Sequence, residues 1–83
     1  MQMTAEVTLY PFDAEYLPPI KGFIAFLNDV EGLLVQTHAT CTIISGDDQL
    51  VYDTLRDGLR WCSEQHGKVV LVSKLLPGHS LTQ

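Results

Sequence analysis

The chain has little positive charge. Its 83 residues hold five Lys and Arg against ten Asp and Glu, a formal net charge of −5. The basic residues (Lys21, Arg56, Arg60, Lys68 and Lys74) are scattered, whereas phosphate backbones are gripped by clustered Lys and Arg. Nucleic acid is therefore excluded as a partner, and anionic membrane surfaces are disfavoured on the same ground. Cysteine is scarce too. Cys41 and Cys62 are too few for a disulfide framework and too far apart for a CxxC site. Two free thiols suit a reducing cytoplasm. No apolar stretch approaches the roughly 18 residues of a membrane helix. The opening "MQMTAEVTLYPF" has no basic segment leading into an apolar run, so no signal peptide is expected.

Chemistry is equally thin. No nucleophile stands at a recognisable spacing from a base, and no Gly-rich loop is present to cradle phosphate. "SGDDQ" places two acids before a helix, which repels phosphate. His38, His66 and His79 fall in separate parts of the chain, so no metal site is expected, and no cofactor. The expectation is a protein that is not an enzyme.

What the chain does have is pattern. It is 46 % hydrophobic and 18 % charged, the balance of one globular domain spanning 1–83. In "AEVTLYPF", Ala5, Val7 and Leu9 alternate with Thr4, Glu6, Thr8 and Tyr10, which predicts a strand over about Thr4–Tyr10. Pro18 and Pro19 open a helix, where missing amide donors cost nothing. Ile20, Phe23, Ile24, Leu27 and Val30 then form its apolar stripe, and Gly32 supplies a left-handed residue beyond its end.

"LLVQTHATCTIISG" reads as a hairpin turning near His38-Ala39. Leu33, Val35, Cys41 and Ile43 are expected on the face that packs on the helices. Gln36, His38, Thr40 and Thr42 are expected on the other. Asp47 is a natural N-cap for a second helix striped by Val51, Leu55, Gly58, Leu59 and Cys62 and closed by Gly67. "KVVLVSKLL" is the last strand. The ordered core runs over about 4–76, with a frayed tail at 79–83.

The order β-α-β-β-α-β with right-handed crossovers predicts an α+β, ferredoxin-like βαββαβ sandwich. Its four-stranded antiparallel sheet has the first and third strands central and two helices on one face. The last strand is apolar on both sides, Val69 and Leu71 alternating with Val70 and Val72, the mark of a strand covered on both faces. The predicted cover is a second copy, hence a homo-oligomer, dimer or tetramer. Trp61 lies off the second helix's stripe and either rims the core or anchors a contact.

On the open face the reading gathers Glu6, Thr8, Tyr10, His38, Thr40 and Thr42. Buried polar groups need partners. From pattern alone, two readings stand: the groups satisfy one another across a dimer interface, or they line a pocket for a small molecule.

These stretches together resemble the YkoF-like thiamine- and hydroxymethylpyrimidine-binding family. "AEVTLYP" fits that family's first strand, "LPPIK" its proline-bearing helix start, and "VQTHATCTIISGD" its strand ending in small polar residues and Gly. The similarity runs in register over about Thr4–Gly78, with His38 and Cys41 standing where Asn-like and Ser-like residues are usual. The resemblance implies non-enzymatic binding of thiamine or its pyrimidine moiety, within an oligomer of ferredoxin-like domains. An aminopyrimidine would be met by the Glu6 carboxylate, by the Thr8, Thr40 and Thr42 hydroxyls, and by Tyr10 as a stacking surface. Other ferredoxin-like functions fit worse. An acylphosphatase needs an Arg, and a heavy-metal domain a CxxC, in the loop "PFDAEYLPP", which has neither. An ACT-like amino-acid sensor, or a purely structural oligomerisation domain, is the remaining alternative.

Overall fold

Ten residues of alternating character open the chain and form β1 (Gln2–Pro11). The structure, a computed structural model, describes residues 1–81. After β1 come α1 (Leu17–Asn28), β2 (Leu34–Thr37), β3 (Thr42–Asp47), α2 (Asp48–His66) and β4 (Val69–Pro77). All strands pair antiparallel in the order β2-β3-β1-β4. The first and third strands are thus central, and the chain is a ferredoxin-like α+β fold.

The alternation in β1 sets the layers. Met3, Ala5, Val7 and Leu9 are all buried beneath the helices, with Phe23 and Leu27 from α1 and Val51 and Cys62 from α2. The helices approach closely because each offers a glycine to the other's aromatics. A Cβ on Gly22 would lie 2.9 Å from the Trp61 ring, and one on Gly58 would lie 3.1 Å from Phe23 and 3.2 Å from Phe26. Trp61 therefore rims the core, its ring 5.8 Å from Phe26 and 5.8 Å, edge-on, from His66. The α2 ends follow the sequence. The Asp47 carboxylate accepts from the Gln49 amide at 3.2 Å, and Gly67 stops the helix at φ +86°. Among the described residues no helix is long and apolar enough to cross a membrane.

The β3 register departs from expectation by one residue. Directly opposed residues in an antiparallel pair share a face. Ile44 stands between Ala5 and Val35, and Thr42 between Val7 and Thr37. Ile44 and Thr42 therefore face the helices, whereas Ile43 lies on the open face between Glu6 and Gln36. The expected placement of Cys41 and Ile43 in the helix-facing set, and of Thr42 on the open face, is corrected accordingly. The cause is the length of the turn. His38 donates its amide to the Cys41 carbonyl at 2.8 Å, leaving Ala39-Thr40 as a two-residue tip. An even loop pairs odd positions of β2 with even positions of β3, whereas the expected faces require an odd one.

The end of the chain turns back over the open face. The Gly78 amide donates to the Gln2 carbonyl at 2.7 Å, the Thr4 hydroxyl to the His79 carbonyl at 2.8 Å, and the Leu81 amide to Ser45 Oγ at 3.2 Å. Of the tail expected to fray, His79–Leu81 is thus tied to the sheet; Thr82 and Gln83 lie outside the described residues.

Candidate functional site

Three segments meet where β1 runs out: the last residues of β1, the β2–β3 turn, and the first two turns of α1. Between them is a cavity of about 100 Å³. Its wall is apolar where the sheet meets α1, through Val7, Leu9, Ile20, Phe23 and Ile24. Its polar part comes from Thr8, His38, Thr40 and Thr42, with the Cys41 thiol beside them. Each polar group is there for a local reason. Thr8 is an open-face residue at the end of a central strand, fixed by donating its hydroxyl to the Thr40 carbonyl at 3.2 Å. That bond also holds the turn against β1. His38 and Thr40 are exposed on the two-residue hairpin.

Thr42 differs from the rest. It is only 6 % exposed, opposite Val7 on the helix-facing side. Of the other buried polar side chains, Thr4 and Ser45 bond to each other at 3.0 Å, and Ser45 also to the tail, while Thr54 on α2 does not line the cavity. The Thr42 hydroxyl makes no side-chain hydrogen bond among the described residues, and it lines the cavity.

A wider groove of about 510 Å³ continues from this cavity, sharing Thr8, Leu9, Ile20 and Thr40 with it. It runs out past Tyr10, Asp13 and Tyr16. Of the six residues singled out from the sequence, Thr8, His38, Thr40 and Thr42 thus line the cavity, and Tyr10 lines the groove. Glu6 lines neither. Its carboxylate lies on the open face, 3.9 Å from Lys74 Nζ. Phe23 and Ile24 on the cavity wall, and Asp13 and Tyr16 in the groove, were not among those six. Their signal was present in "FDAEYLPPIK", an acidic, aromatic loop running into a proline-started helix.

The thiols sit in different surroundings. Cys62 is fully buried on α2, its Sγ 3.9 Å from the Pro19 carbonyl, and burial pushes its thiol pKa above the usual value. Cys41 is half-buried at the cavity. Among the described residues, no group of three His, Cys, Asp or Glu comes together as a metal ion would need.

Several solved structures share this architecture. SP2199 from Streptococcus pneumoniae superposes with a TM-score of 0.87 at 17 % identity, over 95 % of this chain and 89 % of its own. MJ1052 from Methanocaldococcus jannaschii gives 0.82 at 20 % identity, over 98 % and 84 %. TM0486 from Thermotoga maritima, provisionally named a thiamine biosynthesis/salvage protein, gives 0.85 at 14 % identity, over 99 % and 90 %. At such identities the likeness is one of fold. No match is found among curated proteins. The sequence itself matches the profile of the YKOF-related family over residues 2–77. Because that match runs through every strand and both helices, the chain belongs to the YKOF-related family.

Proposed function

We propose that this protein binds a small molecule carrying an aminopyrimidine ring, thiamine or its hydroxymethylpyrimidine moiety, without transforming it. The buried Thr42 hydroxyl at the cavity, with no side-chain partner of its own, carries this reading. The hydroxyl opens onto the cavity rather than being sealed in the core, so it is free to exchange hydrogen bonds with a ligand there. Size agrees. An engineered apolar cavity of about 150 Å³ holds benzene, so about 100 Å³ opening into a groove suits one six-membered ring with its substituents outside. A pyrimidine also matches the lining. Its faces meet Leu9 and Phe23, and its ring nitrogens and amine meet the Thr8 and Thr42 hydroxyls and the His38 imidazole, which between them donate and accept. Thr40 contributes at the rim and Tyr10 where the ring leaves the cavity. The family membership and the provisional name of TM0486 support the same choice.

The proposed protein works as a homo-oligomer, a second copy covering the open face, and its two free thiols fit a cytoplasmic setting. Calorimetric titration with thiamine and hydroxymethylpyrimidine tests the binding. Thr42→Val keeps the shape and removes the hydroxyl, so Kd should rise about fivefold, on the order of 1 kcal/mol. Glu6→Gln should change Kd far less, because Glu6 stands outside the cavity. If Glu6→Gln is the damaging change and Thr42→Val is silent, the ligand lies on the open face instead. No heat with either compound refutes the proposal.

A further inference from the structure

His38 and Cys41 close the β2–β3 turn from its two sides. The His38 amide donates to the Cys41 carbonyl at 2.8 Å, one step beyond the opposed pair Thr37 and Thr42. Opposed residues of an antiparallel pair project their side chains to one face, with Cβ atoms about 4.5–5.5 Å apart. An imidazole thus stands within reach of a thiol, and both residues line the cavity. In such a pair the imidazole can take the proton and leave the thiolate, which is the nucleophilic form. The cavity is open to an occupant on separate ground as well. Thr42, only 6 % exposed, turns onto it a hydroxyl with no side-chain partner among the described residues.

Cys41 has no thiol within reach inside the chain. Cys62 is fully buried, its Sγ against the Pro19 carbonyl, and stands outside the cavity lining. A sulfur partner must therefore come from solution. We propose that Cys41 is a site of reversible modification by low-molecular-weight disulfides, and that the attached group closes the cavity. His38 accepts the Cys41 proton, and the thiolate Sγ attacks one sulfur of the disulfide. A new S–S bond forms to Cys41 as the bond within the reagent breaks, and the departing thiolate takes up the proton. Cys41 is thereby oxidised to a mixed disulfide, and half of the reagent is reduced to a free thiol. Excess thiol reverses the exchange. In a cavity of about 100 Å³, the added sulfur and its carbon chain take the space of a ring. Ligand binding is thus shut off when the surrounding thiol pool turns oxidising. That consequence rests on the proposed function; the chemistry at Cys41 does not.

Hydroxyethyl disulfide added to the folded protein tests both parts. Peptide mass spectrometry should find the adduct on Cys41 and none on Cys62. Amides of Leu9, Phe23 and Thr42 should shift in the modified protein, because those residues line the cavity the adduct fills. The modified protein should give no heat with hydroxymethylpyrimidine, and dithiothreitol should restore it. Cys41→Ser should bind equally before and after treatment. His38→Gln removes the base and keeps a polar side chain. Exchange at about pH 7 should then slow roughly tenfold, since free thiols are only a few per cent ionised there and a base can gain no more than about thirtyfold. Among the described residues, His38 is the only titratable group besides Cys41 in the lining. The two rates should therefore converge at about pH 9, where thiols ionise unaided; a merely structural role for His38 would separate them at every pH. No adduct on Cys41 in the folded protein, equal rates at about pH 7, or an adduct that leaves the Leu9 and Phe23 amides unmoved would each overturn the proposal. So would a modified protein that binds hydroxymethylpyrimidine as before. If the unmodified protein gives no heat with that compound, the binding reading fails, and Cys41 is still judged by mass, rate and amide shifts.

Discussion

Two cysteines of one chain give the sharpest contrast at the level of single residues. Thiolate is the reactive form, so reactivity falls with burial and with a raised pKa. Cys62 has both: it is fully buried in the α1–α2 contact, and burial disfavours its charged form. It behaves as a small apolar core residue. Cys41 is half-buried and lines the cavity beside Thr40 and Thr42. Iodoacetamide added to the folded protein should therefore modify Cys41 alone, with Cys62 reacting only after unfolding. A ring seated in the cavity would cover Cys41, so saturating hydroxymethylpyrimidine should slow that modification about tenfold or more at 100 Kd. Mass spectrometry of the two cysteine-bearing peptides reads both rates. Modification of Cys41 at the same rate with and without ligand would mean that the compound binds elsewhere.

At the level of elements, α2 shows how a cap is written into the sequence. Asp47 accepts the Gln49 amide, Asp48 places a second carboxylate in the first turn, and His66 lies in the last turn before Gly67. The two carboxylates oppose the positive end of the helix dipole with the right sign. Asp47→Ala should destabilise the protein by about 1 kcal/mol, and Asp47→Ser by much less, since a hydroxyl caps nearly as well; the urea midpoint measures both. Such caps were legible because they depend on neighbours in sequence. So was β1, whose strict alternation left one solution, and so was the order of the strands. The β3 face was not legible from the same kind of pattern. "TCTIIS" carries Ile at adjacent positions, 43 and 44, so alternation admits both registers. Only the hydrogen bond from His38 to Cys41 settles the turn length and turns Ile44 and Thr42 inward. The candidate site inherits that ambiguity. Thr8, His38, Thr40 and Thr42 were visible as a polar set, but their meeting point is a cavity beside α1, because parity carried Thr42 to the helix side.

At the level of the whole molecule, the open face is divided. At one end the chain's own tail crosses it, tied to Thr4 and Ser45. At the other end Val70, opposite Tyr10, is 43 % exposed, and Val72, opposite Thr8, is 51 % exposed. Ile43, Leu34 and Leu76 extend the apolar surface, interrupted by the Glu6–Lys74 pair. That pair is solvent-exposed and contributes at most about 1 kcal/mol, so it does not by itself keep the face in water. A chain of this size gains much from sharing such a surface, because a small domain buries a modest fraction of its own. The expected state is a dimer or tetramer assembled through this face, with the partner lying next to Thr8 and Tyr10. Val72→Asp would put a carboxylate at the centre of that contact while leaving the helix-side core untouched. Light scattering should then report a monomer where the wild type is oligomeric, with an unchanged far-ultraviolet spectrum. The melting temperature of the wild type should rise with protein concentration, and that of Val72→Asp should not, since only an assembly ties stability to concentration. If a partner covers this end of the face, beside the cavity-lining Thr8, the monomeric variant should also bind hydroxymethylpyrimidine more weakly. A wild type that scatters as a monomer at micromolar concentration would remove the assembly and leave each chain to bind alone.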